Sequence, residues 1–272
     1  GCHKRGTGFM NLLKILVKPV IFILSKISIN KKVSITSYIL QQLVSLEKDP
    51  VKSLKILLKL DRQIYSLTGR ESIRYGNGLH TKHKHIGYHN FFIKNINEGE
   101  SVLDIGCGNG FLSYDIVVNV KNVKLFGIDL NKSNIEFAKK NFHHPYLKFV
   151  VGNALKDLPD EKFDVVILSN VLEHIENRVE FLTQIRDKIK PSKYLIRVPY
   201  FERDWRVPLM KELELDYRLD STHYIEYKLE EFFDELKKAK LKTKTYEIRW
   251  SEIWAVVKSI NPVIGQFESP TT

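Results

Sequence analysis

The chain is poor in cysteine. Cys2 and Cys107 are the only two in 272 residues, too few for a disulfide framework, which indicates reducing surroundings. No pair of cysteines or histidines has the spacing of a zinc finger. With 43% hydrophobic residues, the chain is long enough for one complete α/β domain and an appendage.

Long hydrophobic runs are also absent. Residues 12–29 are strongly apolar, but lysines and Pro19 interrupt them, and the longest uncharged run is Pro19–Ser25. A membrane-spanning helix needs about 20 apolar residues. The pattern therefore predicts a helix on a membrane surface, broken near Pro19, with lysines facing anionic headgroups. Packing against the rest of the chain, or against a second copy in a homodimer, are the alternatives.

Acidic residues are scarce in the first part of the chain. Residues 1–100 contain 17 Lys and Arg against 6 Asp and Glu, whereas the remainder has 26 of each. The whole excess of positive charge thus lies at the N-terminal side. This indicates an anionic partner there, such as a phospholipid surface, a phosphorylated lipid carrier or nucleic acid. A merely solvated lysine-rich face is the alternative.

A glycine-rich loop is the strongest motif in the sequence. The apolar run Val102–Ile105 enters Gly106-Cys107-Gly108-Asn109-Gly110, and a predicted helix over 111–120 follows. Glycine lets the backbone turn sharply and approach a ligand closely. Dinucleotide enzymes carry a third glycine where this chain has Phe111. With the acidic Asp104 before it, the loop resembles motif I of class I S-adenosylmethionine-dependent methyltransferases.

The following predicted strands carry polar residues at their ends in the order of that family. A strand over 123–128 ends at Asp129, one over 147–151 at Gly152-Asn153-Ala154, and one over 163–168 at Ser169–Ile175. The resemblance covers residues 88–259. It implies S-adenosyl-L-methionine as cofactor, with S-adenosyl-L-homocysteine as product. The cofactor-binding residues it implies are Asp104, Gly106, Cys107, Gly108, Gly110, Phe111, Asp129, Leu130, Asn153, Ala154, Asn170, Val171, Tyr75 and His80.

The resemblance also implies the architecture. We expect an α/β fold, a Rossmann-like doubly wound seven-stranded sheet that ends in an antiparallel hairpin over 242–249 and 252–258, plus an N-terminal helical appendage. Residues 1–9 are interpreted as a leader or a remnant outside the fold. Residues 10–80 form the basic amphipathic appendage and lid, residues 81–260 the methyltransferase domain and residues 261–272 a tail. Helices are predicted over 36–48 and from Asp49-Pro50 to Gly69.

Histidines crowd the segment before the first strand. His80, His83 and His85 are close enough in sequence to bind a metal, but no acidic partner is fixed beside them, and we assign no metal ligand. The segment is predicted to act as a lid on the cofactor, with Tyr75 and His80 in contact with it. A solvated loop is the alternative.

The catalytic candidates follow from the chemistry. Methyl transfer is an in-line displacement, and a hydroxyl acceptor must lose a proton to a general base. His174 is the first candidate, with Glu173 as an orienting or alternative carboxylate. His223 is the second, with Glu226 three residues later. A purely structural role is the alternative for each histidine.

The predicted function is O-methylation of a small-molecule, saccharide or lipid-linked glycan acceptor. A polar, aromatic insertion over 199–227 suits such an acceptor, and the whole chain resembles prokaryotic methyltransferases of surface-polysaccharide biosynthesis. The alternatives are an RNA methyltransferase that uses the basic N-terminal region, and a non-catalytic cofactor-binding protein. Methylation of adenine nitrogen is disfavoured, because no Asn-Pro-Pro-aromatic run occurs at Asn170. We expect a cytoplasmic protein, with peripheral contact at the inner face of the membrane.

Overall fold

The computed structural model describes residues 17–77 and 80–260. The predicted leader, the start of the apolar helix, Gly78 and Leu79 of the lid, and the tail lie outside these ranges. The chain divides into two compact units, Gly1–Ser66 and Leu67–Thr272. No helix within the described ranges is both long enough and apolar enough to cross a membrane.

The first unit consists of helices. They are α1 (residues 17–25), α2 (Ile29–Ser45) and the first part of α3 (Pro50–Tyr75). Asp49 begins α3 as predicted, because its Oδ1 accepts a hydrogen bond of 2.9 Å from the Val51 backbone N–H. Within residues 17–66, Leu58 is the one buried side chain, so the described helices of this unit display most of their apolar surface.

Three predicted helix boundaries are wrong. The break expected near Pro19 lies instead at residues 26–28. It follows Ser25, whose hydroxyl donates a hydrogen bond of 2.7 Å to the Phe22 carbonyl. The helix predicted to start at residue 36 already starts at Ile29. α3 does not end at Gly69, because an internal glycine costs a helix only about 1 kcal/mol. It ends at Tyr75, before Asn77 takes a left-handed φ of 52°.

The second unit contains a seven-stranded sheet in the order β3-β2-β1-β4-β5-β7-β6, in which the first five strands run parallel and β7 is antiparallel to β5. This confirms the predicted fold class. Every predicted strand is present within two residues of its expected limits. The strands are β1 (Ser101–Ile105), β2 (Lys124–Asp129), β3 (Leu147–Val151), β4 (Val165–Ser169), β5 (Lys193–Pro199), β6 (Leu241–Arg249) and β7 (Glu252–Ser259).

Helices cover both faces of the sheet. One cluster of buried residues contains Phe181, Ile185 and Phe232. Another joins Phe92 and Ile116 to the sheet. Because the strand order reverses between β1 and β4, a crevice opens at their carboxyl ends, where doubly wound sheets bind ligands. The helices are α4 (Lys82–Ile86), α5 (His89–Lys94), α6 (Phe111–Asn119), α7 (Lys132–Asn141), α8 (Arg178–Lys188), α9 (Arg206–Glu212) and α10 (Leu229–Lys238).

The terminal hairpin closes the sheet as predicted. Its two-residue turn has left-handed φ values at Trp250 (52°) and Ser251 (66°), as a type I′ turn requires. The insertion after β5, predicted as a polar, aromatic segment, contains the helix α9. A bridge between Tyr200 and Tyr227 ties the two ends of the insertion together.

Candidate active site

The glycine loop is shaped by packing on two sides and is open at its centre. A Cβ at Gly106 would lie 2.7 Å from Val171 Cγ2, and one at Gly110 would lie 2.6 Å from the Phe149 ring. At Gly108, whose φ is 55°, a Cβ would meet nothing within 4 Å. The outer glycines are therefore required for packing between strand ends, and the central one leaves room for a ligand.

Asp129 joins this loop to the end of β2. Its Oδ2 accepts a hydrogen bond from the Gly108 N–H at 2.8 Å, and its Oδ1 accepts one from the Asn131 N–H at 2.8 Å. Asn134 Nδ2 donates a longer hydrogen bond of 3.4 Å to Oδ1 as well. A carboxylate has about four acceptor sites, so Asp129 retains capacity for a hydroxyl donor such as one of a ribose. Leu130 follows it with 69% of its surface exposed, as an apolar platform beside the crevice.

Asp104 lies beneath the loop with 1% of its surface exposed. Its Oδ2 accepts a 2.5 Å hydrogen bond from Ser113 Oγ. Burial, and to a smaller extent the Asp129 carboxylate, raise the pKa of Asp104 to about 7, against the lowering effect of Ser113. A cationic ligand bound nearby would stabilise its charged form. The sulfonium and ammonium groups of S-adenosylmethionine thus fit the site, as does the open space over Gly108.

The other predicted cofactor residues have mixed environments. Asn153 Oδ1 accepts from the Leu155 N–H at 3.0 Å, which fixes the turn that carries Ala154 after β3. Burial raises the pKa of the Cys107 thiol far above its usual range, so that the thiol stays protonated. The Phe111 ring packs 5.0 Å from the Phe142 ring, which is a contact within the fold. The cofactor contacts predicted for these residues stay predictions.

A chain of polar contacts supports the end of β4. Asn170, at a left-handed φ of 56°, donates from Nδ2 to Glu173 Oε1 at 2.9 Å and accepts at Oδ1 from Arg197 Nε at 2.6 Å. The Arg197 guanidinium stacks 3.8 Å from the centre of the Tyr88 ring and pairs with Glu252 at 3.3 Å. The sequence prediction missed Arg197 and Tyr88. A charged residue inside the apolar run of β5 was the available signal.

The insertion brings the two predicted histidines together. The His174 and His223 ring centres are 4.6 Å apart with the planes nearly perpendicular, and the Tyr224 N–H donates to the Glu173 carbonyl at 2.7 Å. Glu173 is buried beside them, and burial raises the pKa of its carboxyl group to about 7. Glu173 and His174 follow the carboxyl end of β4, and the insertion brings His223 against His174.

Hydrogen bonds define the tautomer of His174. The Thr222 hydroxyl donates to Asp220 Oδ1 at 2.8 Å, so toward His174 Nδ1, 2.9 Å away, it acts as the acceptor. His174 therefore carries its proton on Nδ1 and keeps a lone pair on Nε2. Burial and the neighbouring His223 lower the pKa of His174, which favours this neutral form at pH 7.

Glu226 organises the insertion from within. Its side chain is buried, and its carboxylate accepts from the Arg203 guanidinium, the Leu219 N–H and His223 Nδ1, the last at 3.3 Å. The sequence analysis predicted Glu226 as a catalytic residue close to His223, the second candidate base. The structure shows that contact and adds the buried ion pair with Arg203, which ties Glu226 into the framework of the insertion.

A family model described as a methyltransferase domain matches residues 96–249, more than half of the chain. The chain belongs to the methyltransferase-domain family. This membership confirms the predicted enzyme class and the predicted methyl donor, S-adenosylmethionine.

Individual relatives match about a third of this chain. A malonyl-[acyl-carrier protein] O-methyltransferase of Halalkalibacterium halodurans is 30% identical over 104 residues, which are 36% of this chain and 38% of that protein. A ubiquinone biosynthesis O-methyltransferase of Rickettsia bellii is 35% identical over 97 residues, 34% of this chain and 38% of that protein. The chain thus spans little more than a third of either relative.

Among solved structures, magnesium protoporphyrin IX methyltransferase from Synechocystis with bound S-adenosylhomocysteine resembles this fold. The TM-score is 0.51 and the sequence identity 15%, and the match covers 64% of this chain and 84% of that one. At this identity the similarity concerns the fold. The names of these proteins describe their own acceptors.

Side chains of the predicted lid bond to one another, and the His89 ring that follows it bonds to α6. Tyr88 OH lies 2.8 Å from His83 Nδ1, and His89 Nδ1 lies 2.8 Å from Asp115 Oδ2. His80 Nδ1 is 3.3 Å from Ser72 Oγ, and Tyr75 is 85% exposed. The contact of Tyr75 and His80 with the cofactor therefore stays a prediction.

A cavity of about 330 Å³ opens beside His174. Ile175, Tyr224 and Leu155 also line it. Its walls combine apolar side chains with an imidazole, and it lies outside the end of β4. The methyltransferase domain therefore offers an acceptor-sized space next to the histidine pair.

Proposed function

We propose that the chain transfers a methyl group from S-adenosylmethionine to a hydroxyl oxygen of a small-molecule, saccharide or lipid-linked acceptor. The observation that carries this proposal is the position of His174. It is a neutral imidazole with an available Nε2 lone pair, it lines an open cavity, and it follows by three residues Val171, whose side chain packs against Gly106 of the glycine loop. A hydroxyl acceptor needs such a group, because its oxygen is a weak nucleophile until the proton leaves.

The residues of the site have separable roles in this reaction. The bound cofactor supplies an activated methyl group on a positively charged sulfur. Asp129 and the backbone around Gly108 hold the cofactor, and the pair His174 and His223 assists the loss of the acceptor proton. One O–C bond forms as one S–C bond breaks, and one proton leaves. Orientation accounts for much of the acceleration in such in-line transfers.

The acceptor class rests on three supports. The relatives named above are O-methyltransferases, one named for malonyl-[acyl-carrier protein] and the other for ubiquinone biosynthesis. The cavity at His174 has a mixed polar and apolar lining. The N-terminal unit is basic and exposes apolar side chains, which suits an acceptor held at a lipid surface. A glycan or lipid-linked intermediate, as in surface-polysaccharide synthesis, combines these properties.

The test is transfer of labelled methyl from the cofactor to a cell extract that is then separated into lipid, glycan, RNA and protein. We expect label in the lipid or glycan fraction. His174→Ala should reduce it at least tenfold, whereas the matched variant His143→Ala, an exposed histidine away from the site, should not. Label confined to RNA would replace the proposal with RNA methylation, and no label in any fraction would favour a non-catalytic cofactor-binding protein.

Cofactor binding can be tested separately at Asp129. Asp129→Ala removes an acceptor for the ribose hydroxyls and a bond to the loop at Gly108. Hydrogen bonds to a charged group are worth about 1.5–3 kcal/mol, so we expect S-adenosylhomocysteine to bind about 10- to 100-fold more weakly by calorimetry. Glu161→Ala, an exposed carboxylate before β4, is the control. Equal affinity of both variants and the parent would remove the ribose assignment.

A further inference from the structure

Three potential metal ligands converge at the end of β4. Glu173, His174 and His223 each place one ligand atom within 4.8 Å of the other two. Glu173 and His223 are buried, whereas His174 is exposed at the rim. Ligand atoms around a tetrahedral zinc ion lie about 3.4 Å apart, given bonds of about 2.0–2.2 Å. Side-chain rotations that shift these atoms by about an ångström are thus enough to complete such a site.

In each of the three side chains, one polar atom is hydrogen-bonded to a neighbouring residue and the other is not. Glu173 Oε1 accepts from Asn170, while its buried Oε2 has no hydrogen-bond partner. An unpartnered buried carboxylate oxygen is costly and calls for a ligand. In both histidines, among the residues that the structure describes, only Nδ1 makes a hydrogen bond.

The neighbours orient the ligands in the way that metal sites require. His223 Nδ1 faces the Glu226 carboxylate, so its proton lies on Nδ1 and the lone pair on Nε2, as it does in His174. A carboxylate or hydroxyl behind a ligating histidine fixes its tautomer and raises its basicity. The arrangement therefore presents two imidazole lone pairs and one carboxylate oxygen.

We propose that Glu173, His174 and His223 bind a divalent transition-metal ion of the zinc class. Two imidazoles with one carboxylate suit such ions, whereas magnesium prefers an all-oxygen set. Three protein ligands leave at least one coordination position open. The exposed edge at His174 and the adjoining cavity give the ion and an acceptor oxygen access to that position.

This site deepens the proposed function and rests on it. An acceptor hydroxyl bound at the open position loses its proton to water, because the cation stabilises the oxyanion. The oxygen then forms a bond to the methyl carbon as the bond from that carbon to sulfur breaks. The histidines then assist the loss of the acceptor proton as ligands of the ion. Their Nε2 lone pairs bind the metal where they would otherwise act as general bases, and a metal site is added where none was assigned.

Metal binding can be measured without any acceptor. The full chain, without a polyhistidine tag and dialysed against chelator, is titrated with Co²⁺ by absorbance and with Zn²⁺ by calorimetry. We expect one ion per chain, displaced by Zn²⁺ and retained in excess Mg²⁺. Glu173→Gln and His174→Ala should weaken binding at least tenfold. Thr222→Val should weaken it about tenfold, because it removes the oxygen that orients His174.

Matched controls and chelation separate this proposal from the proposed function. Glu176→Gln and His143→Ala, which alter exposed residues of the same types, should bind Co²⁺ like the parent. No bound ion, or equal loss in the controls, overturns the metal site while S-adenosylhomocysteine binding still reports on the cofactor site. Methyl transfer that persists in chelator overturns the catalytic role of the ion. Metal binding without transfer to any fraction would instead reject the proposed function.

Discussion

Asp104 has almost no contact with water, and its hydrogen bond from Ser113 does not compensate for the lost hydration. The energetic consequence is a carboxyl group whose protonated form is favoured by the fold. The glycine loop above it is held by backbone bonds from Gly106 and Cys107 to the Ile128 carbonyl. The site therefore keeps its shape and places at its base a carboxyl group whose ionised form a cationic ligand would stabilise.

A pH dependence of stability follows from this residue. The pKa of Asp104 is raised from 3.8 to about 7 in the folded chain, so its contribution to stability is fully present below about pH 4 and is lost as the pH rises through about 7. Each pKa unit corresponds to about 1.4 kcal/mol, which gives an upper limit of about 4 kcal/mol. Asp104→Asn should thus flatten the decline in unfolding free energy between pH 5 and 8, measured by urea denaturation without cofactor.

The control for this measurement is Glu161→Gln, which makes the same chemical change at an exposed position. It should keep the parental pH profile. A parental slope in Asp104→Asn would mean that the carboxyl group is already ionised below pH 5 in the folded chain. Asp104 and Asp129 could be found from sequence, because Asp104 lies in an apolar run just before the glycine loop and Asp129 ends the next apolar run. The contact between Arg197 and Tyr88 could not, because it joins positions more than a hundred residues apart.

At the scale of elements, the sheet was predictable and the insertion was not. β4, for example, is a continuous apolar run that ends in a polar residue, and such a signal is contained in the local sequence. The insertion depends on tertiary bonds such as that from Arg203 to Glu226, and no periodicity encodes them. α3 continues through Gly69 because the residues around this glycine outweigh its low helix propensity.

The buried ion pair between Arg203 and Glu226 should therefore govern the stability of the insertion. Glu226→Gln leaves the Arg203 guanidinium buried without its countercharge, which costs about 3–5 kcal/mol. We expect the unfolding free energy to fall by that amount in urea denaturation. Replacing both partners, with Arg203→Met and Glu226→Leu, should recover part of the loss. Glu212→Gln, an exposed change in the same insertion, should be neutral. A neutral Glu226→Gln would show that the pair is solvated.

At the scale of the whole molecule, charge and apolar exposure are divided between the two units. Residues 101–272, which belong to the unit that contains the sheet, are balanced in charge, whereas the excess of lysine and arginine lies before residue 101, most of it in the first unit. In the first unit the described helices expose Ile21, Phe22, Ile23, Ile29 and Val33. A monomeric protein rarely displays such a surface without a partner. We propose an anionic membrane as that partner, since lysines occur between the apolar residues.

Charge reversal at Lys26, Lys31 and Lys32 tests this proposal without shortening the chain. Each lysine near an anionic surface contributes about 1 kcal/mol, so changing all three to glutamate should weaken sedimentation with phosphatidylserine vesicles at least 100-fold. Lys121, Lys124 and Lys162, exposed in the methyltransferase domain, provide a control with the same net charge. S-adenosylhomocysteine should bind both variants equally. Equal vesicle binding by both would reject the membrane contact, and a concentration-dependent dimer in light scattering would assign the apolar surface to a second copy.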